Sequence, residues 1–105
     1  FGCSATVPSL EDLEMEMSNR TAEARHVGVQ LEHQSEIVYS TTLRVDGRAT
    51  VTRATGVTSH PLTVRATVDE SFEDVAAYEW HGCTHDVINI YVNPQPKIIS
   101  GCHDD

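Results

Sequence analysis

The stretch Leu62-Thr63-Val64-Arg65-Ala66-Thr67-Val68 decides the fold. Apolar and polar residues alternate through it, which sends one set of side chains to each face of an extended chain. Four of the seven are Val or Thr. Branched side chains pack well on a pleated surface and lose rotamer freedom in a helix. The pattern reads as a half-buried strand.

The same alternation recurs on both sides. Upstream, Val27, Val29 and Leu31 alternate with His26, Gly28, Gln30 and Glu32. Ile37, Tyr39, Thr41, Leu43 and Val45 alternate with Val38, Ser40, Thr42 and Arg44. Leu13, Met15 and Met17 alternate with Glu14 and Glu16 across residues 10–17, and Ala49 with Val51 forms a short strand. Ser9 to Met17 also fits a helix start, because Ser9 suits a cap and Glu11 and Asp12 suit a first turn; the alternation favours the strand. Downstream come Ala76, Tyr78 and Trp80, then Ile88, Ile90 and Val92, then residues 97–102. Turns are expected at Ser18–Thr21, His33–Ser35, Asp46-Gly47, Asp69–Phe72 and Asn93-Pro94-Gln95-Pro96. Seven or eight short strands at this spacing describe an antiparallel β-sandwich. Residues 10–105 form one domain, with Trp80 and Tyr78 in its core. Residues 1–9 contain Pro8 and follow no period, so they read as an extended N-terminal arm. No repeat or linker divides the chain.

Composition supports this reading. Val, Ile and Thr account for 28 of 105 residues, against 5 Leu and 8 Ala. The length suits one domain. The formal net charge of -9 argues against nucleic acid and against anionic membranes as partners. No apolar run is long enough to span a bilayer. The six Arg stand beside a single Lys, Lys97. Acid excess with Lys depletion fits a protein from concentrated salt, where carboxylates hold water while the Debye length falls to about 3 Å. An ordinary acidic secreted domain is the alternative. The chain begins at Phe1, which fits removal of a signal peptide.

Three Cys allow three bridges with one thiol over. If strands 86–92 and 97–102 form a hairpin, residue 92 faces about 97, and Cys102 lies opposite residue 87. That is four residues from Cys83, so a Cys83–Cys102 disulfide is expected. Such a bridge implies an oxidising, extracellular setting. Cys3 is then unpaired, and three readings stand for it: a free thiol, a lipid-carrying cysteine after Gly2, or a bond to another chain.

His81, Cys83 and His85 also alternate, and His103 follows Cys102, which raises a metal site. Gly82 interrupts the segment and the spacing matches no standard zinc pattern, so no metal and no cofactor are expected. Neither a nucleophile elbow nor a Cys-His catalytic signature is present, and the protein reads as non-enzymatic. Glu11, Asp12, Glu14 and Glu16 read as a solvated face in preference to a calcium site. Asn19-Arg20-Thr21 is an N-glycosylation acceptor sequence.

A strand ending in Asn19-Arg20-Thr21, a hairpin around Gln34-Ser35-Glu36, then Tyr78-Glu79-Trp80, Cys83-Thr84-His85-Asp86 and the near-terminal Cys102 together resemble small secreted Ig-like domains and lipoproteins of halophilic archaea. The resemblance covers residues 10–102 and implies an extracellular, non-enzymatic Ig-like β-sandwich with no catalytic residues. The arm departs from the pattern, because an anchored member would begin at its lipidated Cys.

Two functions fit. The first is a cell-surface structural module that self-associates, or joins other surface proteins, into a filament. Its arm would add a strand to a neighbour's open sheet edge, with Val7 and Leu10 as contacts and Cys3 as a lock. The second is a monomeric module binding a metal or solute at the His81–His85 end; a viral surface protein also fits. A halophilic chain should melt at a higher temperature in molar salt than in dilute buffer, and equal midpoints by circular dichroism would overturn that reading.

Overall fold

The computed structural model describes residues 13–58, 61–78 and 85–103. Their regular elements are all strands: β1 (Leu13–Asn19), β2 (Arg25–His33), β3 (Glu36–Val45), β4 (Thr50–Ala54), β5 (Leu62–Val68), β6 (Phe72–Tyr78), β7 (His85–Asn93) and β8 (Gln95–His103). They form two four-stranded sheets, ordered β4-β1-β7-β8 and β3-β2-β5-β6. The chain is an all-β sandwich, as its alternation requires. Among the described residues no helix is long and apolar enough to cross a membrane.

The core is built from every second residue. Leu13, Met15 and Met17 of β1 are buried with Val27, Val29 and Leu31 of β2. Leu62, Val64, Ala66 and Val68 of β5 join them, as do Ile88, Ile90 and Val92 of β7. Full burial of each large side chain here contributes about 1.5–3 kcal/mol. The intervening residues of β1, Glu14 and Glu16, stay partly exposed on the outer face.

Several boundaries and one registry differ from expectation. β1 runs through Asn19, because Asn19 is itself an inward-facing residue. Its first residue is Leu13; residues 10–12, with Leu10, Glu11 and Asp12, lie outside the described set. β6 begins at Phe72, because the turn before it is short and is closed by the Ser71 N–H donating to the Val68 carbonyl at 3.0 Å. Asp69 and Glu70 hold positive φ in that turn. The last hairpin closes tightly on Pro94, with Asn93 facing Gln95. Val92 therefore faces Pro96, and Cys102 faces Asp86 instead of residue 87.

Topology departs from expectation in two places. Five strand pairings are antiparallel, but β7 lies parallel to β1 along all seven residues of β1. The turn at Asp46-Gly47 forms, yet it joins β3 of one sheet to β4 of the other and makes no hairpin. Gly47 is required there by contact: a Cβ on it would sit 2.2 Å from the Ala22 carbonyl oxygen. The β3–β4 corner is thus pressed against the β1–β2 connection.

Asn19 welds that junction. It is 2% exposed. Its Nδ2 donates to the carbonyls of Glu23 at 2.8 Å, Val45 at 3.0 Å and Asp46 at 3.2 Å. Its Oδ1 accepts from the Thr21 backbone N–H at 2.9 Å and from the Thr21 hydroxyl at 2.7 Å. The nitrogen that a glycan would occupy is therefore buried and committed. In this fold the Asn-Arg-Thr triplet is a structural clamp. Asn19→Ala leaves several buried backbone groups without partners and should cost about 2–4 kcal/mol in urea unfolding. Peptide mass analysis of native material should find Asn19 unmodified.

Candidate functional site

A two-sheet sandwich has four edge strands, here β4, β8, β3 and β6. An edge presents unpaired backbone groups, and proteins blunt it with short strands, charges, bulges or a covering segment. The β6 and β8 edges cover each other. The Ile98 N–H donates to the Asp74 carboxylate at 3.1 Å, and Gln95 Nε2 donates to the Glu73 carbonyl at 2.8 Å. The β4 edge is only five residues long and carries the exposed Arg53.

The β3 edge is different. It is ten residues long, Glu-Ile-Val-Tyr-Ser-Thr-Thr-Leu-Arg-Val, with neither Pro nor Lys and with charges only at Glu36 and Arg44. Ile37 is 53% exposed and Val38 37%. A bulge at Leu31/Glu32 leaves Val38 without a partner residue on β2. From Tyr39 to Val45 the pairing with β2 is regular. Tyr39 and Leu43 pack against the core, which holds the strand in place. Beyond the bulge, the regular, branched and nearly uncharged run from Tyr39 to Leu43 is a template for a further strand. The sequence carried a signal for it: 36–45 is the longest of the described strands and holds neither Pro nor Lys.

The opposite side of the molecule holds a buried polar pair. Tyr78 is 1% exposed and Asp86 is fully buried. The Tyr78 phenol lies close enough to the Asp86 carboxylate for that charge to act on it. Burial, and then the Asp86 charge, push the Tyr78 phenol well above its ordinary value. Sequence reading passed over Asp86, although it shares the inward parity of Ile88, Ile90 and Val92.

At the other end of β6, Asp69 ties the β5–β6 turn to the start of β2. It accepts from the His26 N–H at 3.0 Å and from Arg25 at 3.0 Å. These contacts, the backbone one foremost, hold its carboxyl below the usual range.

The sequence-derived cysteine and histidine candidates are only partly within reach. Cys3, Val7, Trp80, His81 and Cys83 lie outside the described residues, so the Cys83–Cys102 bridge does too. The backbone registry places His85 opposite His103 and Asp86 opposite Cys102. Among the described residues no three His, Cys, Asp or Glu side chains form a metal-holding group.

No family model matches the chain, and no curated protein matches it. Among solved structures, the NMR structure of a protein from Eubacterium rectale is similar, with a TM-score of 0.54 and 10% identity over 94% of this chain and 97% of that one. At that identity the likeness shows the fold alone.

The pH limits follow from the two shifted groups. A phenol whose folded value is raised stabilises the fold up to its unfolded value, so stability should fall as pH rises above about 10. Tyr78→Phe should flatten that alkaline loss in urea titrations. Asp69, held low, contributes at neutral pH, and its share should disappear as pH drops below about 4.

Proposed function

We propose that the chain is a non-enzymatic, Ig-like extracellular surface module of a salt-adapted cell, and that it self-associates by strand addition. The donor is the N-terminal arm of one copy and the acceptor is the β3 edge of the next. The observation that supports this reading is the β3 edge, unpaired among the described strands, long and almost free of charge, in a sandwich whose β6 and β8 edges cover each other.

Charge favours the pairing. Residues 1–9, Phe-Gly-Cys-Ser-Ala-Thr-Val-Pro-Ser, carry no acidic side chain in a chain of net -9. An uncharged arm approaches an acidic neighbour without the repulsion that two such bodies otherwise feel. The acceptor strand is neutral as well, with Glu36 offset by Arg44. Main-chain hydrogen bonds supply the affinity, and Val7 and Leu10 supply apolar contacts. Cys3 would lock the joint to a neighbour, and a Cys83–Cys102 bridge would fit the oxidising exterior. Because the donor and acceptor are different surfaces, the contact is head-to-tail, and unclosed repetition yields a filament.

A second reading, a module that binds a cation or solute, is favoured by the buried Asp86. It is a fully buried carboxylate, and its backbone stands in registry with Cys102, next to the backbone pairing of residues 85 and 103.

Electron microscopy and light scattering in molar salt separate the two. The full chain should form head-to-tail polymers. Deleting residues 1–9, or replacing Ile37 and Val38 with Lys on the exposed edge, should leave folded monomers. Monomers from the full chain at high concentration would overturn the assembly reading. Cation binding that survives the deletion would favour the second.

A further inference from the structure

The outer face of the β3-β2-β5-β6 sheet holds a depression of about 220 Å³. Its floor is Gly28, in the middle of β2, a strand paired on both sides. The registry sets Thr42 and Thr67 on either side of Gly28, and Ser40 and Arg65 on either side of Gln30. Two rows of three cross-strand neighbours therefore frame one missing side chain.

Glycine in the interior of a paired strand weakens it, for reasons of entropy and lost packing. It marks a bulge, a tight bend, or a place where a ligand or another backbone comes close; β2 is regularly paired on both sides at residue 28, which leaves the last of these. Here a Cβ on residue 28 would sit 2.8 Å from Thr67 Oγ1 and 3.5 Å from Thr42 Oγ1. Even one carbon would crowd the Thr67 hydroxyl and come into ordinary contact with that of Thr42.

The chemistry of the walls narrows the occupant. They offer three hydroxyls, one amide and one guanidinium, which together donate and accept in several directions. Arg65 is the only charged lining residue, and it is ion-paired with Glu73 at 2.7 Å. An anion would find that charge already answered. A cation would find no carboxylate in the lining. An apolar ligand would leave the polar walls unpaired. A neutral polyhydroxyl compound fits the remaining demand. The volume is below the ~300–1,000 Å³ of pockets for drug-sized ligands, so it suits a single ring.

We infer that the Gly28 depression binds one unit of a neutral saccharide. The site lies on the sheet face and does not depend on strand addition at the β3 edge.

The test is an NMR titration of the ¹⁵N-labelled full chain in molar salt. The probes are the methyl glycosides of glucose, mannose, galactose and N-acetylglucosamine. At least one glycoside should shift amides concentrated in residues 28–30, 40–42 and 65–67. The double variant Thr42→Val with Thr67→Val keeps shape and strand preference while removing two hydroxyls, and it should weaken binding about tenfold or more. Gly28→Ala should do the same by filling the gap. If Gly28→Ala fails to fold, the valine pair decides alone. Absence of shifts with all four glycosides, shifts centred elsewhere, or unchanged binding by the valine pair would each overturn the assignment.

Discussion

The structure depends on one buried amide. Asn19 closes β1, and its side chain reaches the carbonyls at the end of β3 and in the β1–β2 connection. β1 and β3 belong to different sheets. Hydrophobic burial presses the sheets together, but it is non-directional and leaves their relative position loose. Hydrogen bonds from a fixed amide supply the direction. The close fit of Gly47 against Ala22 and the Arg48 N–H donating to the Thr21 carbonyl at 3.0 Å complete the same corner. With this corner fixed, β4 falls antiparallel beside β1, and the other side of β1 is left for β7.

That arrangement explains which edges stay open. The parallel docking of β7 on β1 carries β8 out to the margin of its sheet. There it meets β6, and side chains from each cover the other's backbone. The β3–β4 corner crosses between the sheets on the far margin, so β3 and β4 cannot pair with each other. β4 is short and cationic, whereas β3 is long and nearly neutral. The proposed assembly edge is thus a consequence of the corner that Asn19 holds.

The outer sheet face and the sandwich interior follow different demands. Among the described residues the fully buried ones are apolar, apart from Asn19 and Asp86. Outward residues around Gly28 are small, hydroxylated and close to charge-neutral, although the chain as a whole is strongly acidic. Glu23, Glu36, Asp46 and Glu70 sit at strand ends and turns, where water reaches them. Acidity is therefore compatible with a sheet face that carries little net charge.

Local sequence determined the strands. Alternation in 27–31, 37–45 and 62–68 named both the elements and their buried faces, because the side-chain period of a strand is two and a slip of one residue would expose the whole core set. It also placed Tyr78 in the core. It named the β2–β3 and β7–β8 hairpins through their turns, but it could not assign partners distant in sequence, because every alternating strand offers the same backbone ladder to any other. Asp46-Gly47 carried a tight-turn signal that fits a hairpin or a crossing equally well, and only the contact with Ala22 decided for the crossing. Asn19-Arg20-Thr21 spelled a glycan acceptor until the fold turned its amide inward. The depression at Gly28 and the Tyr78–Asp86 pair exist only once separate strands lie side by side. Pairing, edges and sites are properties of long-range neighbours, and those are set by tertiary packing.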